Sequence, residues 1–143
     1  MAHLMNGAGA ADAPLSLEFR RIQAISSRGN QRIRVTPDGA VFAYLESRDC
    51  ARGEHWSAPW PEEAQRRLTP DERRELAGTL VASGFFDLPM AIVTAGRDGF
   101  RDEIDAVLGT RQHSVTIERA PAPAAFACLR AALLALAGPP FSA

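Results

Sequence analysis

The feature that most restricts the fold of this chain is a pair of tight turns, each joining two stretches of alternating residues. Gln31 to Val35 places Ile33 and Val35 on one side and Arg32 and Arg34 on the other. This is the period of two with which a half-buried strand meets a core. Thr36-Pro37-Asp38-Gly39 follows. Proline presets φ and glycine takes positive φ at little cost, so these four residues turn the chain back. The return stretch, Ala40 to Glu46, puts Val41, Ala43 and Leu45 on one face. Phe42 and Tyr44 fall on the opposite face, with Arg32 and Arg34. Further along, Phe100, Asp102, Ile104, Ala106 and Leu108 share one parity, and Gly109-Thr110 reverses the chain. His113, Val115 and Ile117 then alternate with Gln112, Ser114, Thr116 and Glu118, giving one dry and one wet face.

Helix signals follow each set of strands. Thr69-Pro70-Asp71-Glu72 has a capping threonine, proline at the first helical position and glutamate at the third, which is a capping box. Leu76, Leu80 and Ser83, or Ala77 and Val81, keep helical spacing, and Gly84 is placed to end the helix in the left-handed conformation. Phe85, Phe86 and Leu88 are expected to pack beneath it, before Pro89. A last helix opens after Pro121 and Pro123. Its stripe is Phe126, Leu129, Leu133 and Leu136, and Gly138-Pro139-Pro140 stops it. Two further strands are expected, at about Leu17 to Ser26 before an Arg28-Gly29-Asn30 turn, and at Met90 to Thr94 before a turn at Ala95 to Gly99. Ser47 to Arg67 has no periodicity and reads as a long irregular connection.

Strands grouped in hairpins make a mostly antiparallel sheet. The expected architecture is α+β, in two layers, with a sheet of about five to six strands and two helices packed on one face. Each half is a strand set followed by a helix, a hint of internal pseudo-symmetry without a residue-level repeat. Residues 15–138 read as one domain, 1–14 as a disordered Ala/Gly-rich segment and 139–143 as a tail.

At 143 residues, with 46% hydrophobic and 23% charged, a packed core needs neither disulfides nor metal. The 16 basic residues balance 17 acidic ones, which argues against nucleic acid or an anionic membrane as partner. All the basic residues are arginine, so no lysine amine is present for Schiff-base chemistry. Cys50 and Cys128 lie far apart, one in a polar loop and one on a helix pattern where a small core residue is expected. A pair of cysteines is too few for a stapled secreted scaffold, and the first residues lack a signal-peptide pattern, so a reducing cytoplasm is expected. The longest apolar run, about Ala131 to Ala137, is too short to span a bilayer.

The sequence holds no catalytic or metal constellation that can be assigned. There is no Gly-rich phosphate loop and no Gly-x-Ser-x-Gly elbow. His113 and Ser114 are neighbours on a strand and point to opposite faces. Asp49, Cys50, Glu54 and His55 share one loop, but Cys-x4-His is not a usual zinc spacing. Glu103 and Asp105 share a strand face, opposite Asp102, and read either as acid–base carboxylates or as partners in an arginine ladder. His113 reads as a satisfied core or edge histidine. No cofactor is expected.

The unusual feature is Trp56-Ser-Ala-Pro-Trp60-Pro61, which holds both tryptophans of the chain. Tryptophan offers a large rigid surface at little entropic cost, as binding hot spots require. Alternatively, one or both indoles fold back over the sheet face of Phe42 and Tyr44. The candidate partner-binding residues are therefore Trp56, Trp60, Arg32, Arg34, Phe42 and Tyr44, since guanidinium over aromatic rings suits recognition.

Leu68-Thr69-Pro70-Asp71-Glu72, Phe85-Phe86-Asp87-Leu88-Pro89, Arg97-Asp98-Gly99-Phe100, Gly109, His113-Ser114-Val115 and the proline-led final helix together carry a resemblance. Over this second half the chain resembles small bacterial domains of the emfourin type, which inhibit protealysin- and thermolysin-like metalloproteases, and related small bacterial α+β domains. The resemblance implies the same layout and a protease-inhibitor-like role, and transfers no inhibitory residue. The expected function is a non-catalytic protein-binding module with a protein partner. The alternatives are an accessory structural subunit of a larger assembly, or a small enzyme or ligand carrier using a cleft between loop and sheet.

Overall fold

The structure is a computed structural model that describes residues 12–23, 30–46, 60–96, 100–139 and 141. Its centre is an open sheet of seven strands in the order β4-β3-β2-β1-β6-β7-β5. These are β1 (Leu15–Gln23), β2 (Asn30–Val35), β3 (Ala40–Glu46), β4 (Arg66–Arg67), β5 (Ala91–Val93), β6 (Phe100–Leu108) and β7 (Arg111–Glu118). Helices α1 (Pro70–Ser83) and α2 (Ala124–Ala137) complete the fold. All neighbouring strands pair antiparallel except β5 with β7, which are parallel.

The register explains the core. Val41, Val35, Leu17 and Ala106 lie in one row across β3, β2, β1 and β6, and Ala43, Ile33, Phe19, Ile104 and Val115 in another. These side chains share one pleat face and cluster with Leu76, Ala77 and Leu80 of α1 and Phe126, Leu129 and Leu133 of α2. Both helices therefore cover the same side. Phe19, Phe85 and Phe126 are fully buried. Phe19 lies at the sheet centre, and its truncation to alanine is the single core change expected to cost most, about 3–5 kcal/mol.

The local signals form as their chemistry requires. Thr69 Oγ1 accepts from the Glu72 amide at 3.1 Å, and Glu72 Oε1 accepts from the Thr69 amide at 2.9 Å. Gly84 ends α1 at φ 86°. The Thr36–Gly39 turn closes through the Gly39 amide on Thr36 O at 2.9 Å, with Gly39 also at φ 86°.

Several expectations need correction. The sheet has seven strands, because Arg66–Arg67, at the end of the stretch read as irregular, pairs with Ala40 and Val41. A two-residue strand is too short to show periodicity. The first strand begins at Leu15 rather than about Leu17, and Asn30 already belongs to β2; Arg28 and Gly29 of the expected turn lie outside the described residues. On α1 the buried stripe is Leu76, Ala77 and Leu80, leaving Val81 exposed. On α2 it ends at Ala137, with Leu136 only partly buried at the rim of the core. Cys128, expected inside, is a free and exposed thiol on the outer face of α2. Its neighbours Phe126 and Leu129 take the inward positions on that turn. Both domain edges also extend. Ala13 packs on the core and its carbonyl accepts from Arg73, while Phe141 is buried. The pseudo-symmetry stops at the central strands, because β1, β2 and β3 follow in sequence whereas β5 precedes β6 and β7 yet lies outside them.

Candidate functional site

The sheet face away from the helices carries Arg32 and Arg34 on β2 and Phe42 and Tyr44 on β3. Pairing places Arg32 opposite Tyr44 and Arg34 opposite Phe42, so guanidinium and ring are cross-strand neighbours. The Arg32 guanidinium stands 5.1 Å from the Tyr44 ring centroid. Trp60, just before the chain rejoins the sheet as β4, packs on the same place. Its ring centroid is 4.3 Å from the Arg32 guanidinium and 4.4 Å from that of Arg34. Five of the six residues singled out in the sequence thus share one face, with Trp60 folded back over it. Trp56 lies outside the described residues.

A ladder of ion pairs continues this patch across the sheet. Glu18 on β1 accepts from Arg34 at 2.9 and 3.0 Å and from Arg20 at 2.6 Å. Arg20 also reaches Glu103 at 2.7 Å and Asp105 at 2.9 Å on β6. Burial opposes the Arg20 charge, but hydrogen bonds to Asp105, Glu103 and Glu18 outweigh it, and its pKa is raised above the ordinary arginine value. Arg101 joins Glu103 at 3.1 Å, and Arg119 joins Glu118 at 2.6 Å. Glu103 and Asp105 are therefore ion-pair partners of one guanidinium, the ladder reading of these two carboxylates. The ladder fixes the orientation of Arg34, which holds a carboxylate on one side and an indole on the other.

The helix-covered face holds the polar group that sequence reasoning left unexplained. Asp102 is fully buried. Arg21 grips it through two hydrogen bonds of 2.8 and 2.7 Å, and Arg130 of α2 adds a third at 2.9 Å. The signal available in the sequence was an aspartate at an apolar parity position, since a buried carboxylate needs a cationic partner. Arg21 also lies 4.8 Å from the Phe100 ring centroid.

His113 Nε2 lies 2.7 Å from Leu88 O, and its ring meets Phe85 edge-on at 5.7 Å. It is a histidine satisfied at the margin of the core. Among the described residues no group of three His, Cys, Asp or Glu side chains is placed to hold a metal ion. The loop with Asp49, Cys50, Glu54 and His55 lies outside those residues. Two open clefts have volumes of about 170 and 160 Å³, below the ~300–1,000 Å³ of ordinary small-molecule pockets. Among the described residues no helix is long and apolar enough to cross a membrane.

These features define a two-layer α+β protein with a seven-stranded open sheet and an arginine–aromatic patch on the face away from the helices. No protein-family model matches the chain, and no curated protein matches it in sequence.

Proposed function

We propose that this chain is a non-catalytic protein-interaction module whose contact surface is the patch of Arg32, Arg34, Phe42, Tyr44 and Trp60. The observation that carries the reading is the stacking of one indole on two guanidinium groups, on a sheet face that neither helix covers. Tryptophan, tyrosine and arginine are the side chains that most often dominate binding energy at protein interfaces. Here they are held in place before any partner arrives, which reduces the ordering cost of association. The balanced charge of the chain favours a protein over a polyanion.

Inhibition of a thermolysin-like metalloprotease is the most specific form of this reading, and it rests on the emfourin-type resemblance of the second half. The test titrates purified chain into a thermolysin-type protease, beside Trp60→Ala and Arg34→Ala variants. Stoichiometric inhibition by the parent, weakened at least tenfold in either variant, is the expected result. Inhibition unchanged in both variants would remove the patch from the contact. No inhibition at tens of micromolar would remove the protease, leaving affinity capture with the same variants to test the module.

A further inference from the structure

The two edges of the sheet are built differently. At one end β4 is a two-residue strand of exposed arginines, with Arg66 paired to Glu72 and Arg67 to Asp38. Short length and charge are the usual protections of an edge against pairing with another chain. At the other end is β5, within Met90-Ala91-Ile92-Val93-Thr94, which carries no charge and no proline. Met90 is 73% exposed and Val93 56%.

The hydrogen bonds of β5 show which of its backbone groups turn away from β7. Met90 O accepts from the Thr116 amide and the Thr94 amide donates to Glu118 O, both at 2.9 Å. In a parallel pair the residues that bond to the neighbour alternate. Met90, Ile92 and Thr94 therefore face β7, and the N–H and C=O groups of Ala91 and Val93 face outward from the sheet. The end of this edge is held rigidly. Arg119, the one non-glycine at positive φ (52°) among the described residues, donates from Nε to Thr94 O at 2.8 Å. A β-carbon at Gly96 would stand 2.9 Å from Arg119 Cδ, so glycine there permits the approach. The Arg119 charge is met by Glu118.

We infer that β5 is a homodimerisation edge, at which a second copy of this chain adds its own β5 antiparallel about a two-fold axis at Ile92. The sequence is self-complementary in that register. Ala91 of one copy faces Val93 of the other, and each pair exchanges both of its outward backbone bonds. The two Ile92 residues meet at the axis, and no like charges are opposed within 90–94. The product is a continuous sheet of twice the width. Each arginine–tryptophan patch lies toward the far end of its own half, with the two patches roughly 50 Å apart at ordinary strand spacing. A dimer of this kind presents two contact patches and gains avidity for a paired or repeated partner. The dimer itself does not depend on the proposed role of that patch.

Sedimentation of the full chain at rising concentration tests the inference, with Val93→Pro and Ala91→Lys beside the parent. Val93→Pro removes an outward N–H and leaves the bonds to β7 in place. Ala91→Lys puts a charge on the edge. The expected result is a reversible dimer for the parent, and at least a tenfold weaker dimer for each variant, with unchanged circular dichroism. Should Val93→Pro fail to fold, Ala91→Lys decides. A parent that stays monomeric at several hundred micromolar would overturn the inference, as would a dimer insensitive to Ala91→Lys.

Discussion

Both carboxylate oxygens of Asp102 are held by Arg21, at 2.8 and 2.7 Å, in a position with no solvent exposure on the helix-covered side of the sheet. Arg130 adds a third contact from α2. The cluster ties β1, β6 and the last helix together by charge where most of that face is tied by apolar packing.

Removing the carboxylate leaves two guanidinium groups facing each other in a poorly solvated place. Asp102→Ala is expected to lower unfolding free energy by about 3–5 kcal/mol, and Asp102→Asn by less, because breaking a buried pair strands its partner. Urea denaturation measures this. A loss under ~1 kcal/mol for Asp102→Ala would mean that the three groups are solvated in the folded protein.

The Trp60 stack has a smaller structural effect. Two cation–π contacts at a partly exposed site are worth ~0.5–1 kcal/mol each, so Trp60→Ala should cost under ~2 kcal/mol in the same assay. Its effect on partner binding should be larger, as expected of a hot spot. A folding defect above ~4 kcal/mol would instead make Trp60 a core residue.

Two carboxyl groups make stability fall in acid. Glu72 is held below the ordinary glutamate pKa by the Thr69 amide first and by Arg66 next, against some desolvation. Asp38 is held low by the Thr36 hydroxyl first and then by Arg67. A carboxyl depressed in the folded state stabilises fully above its unfolded pKa and ceases to do so as pH falls through the folded value. Melting temperature should therefore drop from about pH 5 downward, and less steeply in Glu72→Gln or Asp38→Asn. Identical acid slopes in parent and variants would show that neither group is linked to folding.

Gly39 sits at φ 86° with Leu68 O 3.5 Å from where a β-carbon would stand. Gly39→Ala is expected to cost about 1–2 kcal/mol, from the left-handed conformation more than from contact. Thermal denaturation measures the loss, and an unchanged melting temperature would mean that the turn relaxes to another type.

Cys128 on the outer face of α2 should react with a maleimide in the folded protein at close to the rate of an exposed thiol. Cys128→Ser should change stability by under ~0.5 kcal/mol, as at other surface positions. Peptide mass spectrometry identifies the site, and labelling only in denaturant would place the thiol inside.

The amino-acid sequence by itself determined the elements whose energy is local. The Thr69–Glu72 box, the Thr36–Gly39 turn and the left-handed Gly84 each act within about four residues, so contiguous side chains specify them. Period-two alternation likewise assigned Ile33, Val35, Ile104 and Val115 to a buried face, and gathered Arg32, Arg34, Phe42 and Tyr44 on the other. Only the tertiary structure decided which distant segments meet. The partnership of Arg20 with Glu103 and of Arg21 with Asp102 spans about eighty residues, and such pairs follow from strand register rather than from spacing. The same holds for Trp60 returning over β2, for the two-residue β4 and for β5 being the edge strand among the described residues. Turn and cap energies belong to short contiguous segments, whereas these contacts exist only once segments distant in sequence have come together in the sheet.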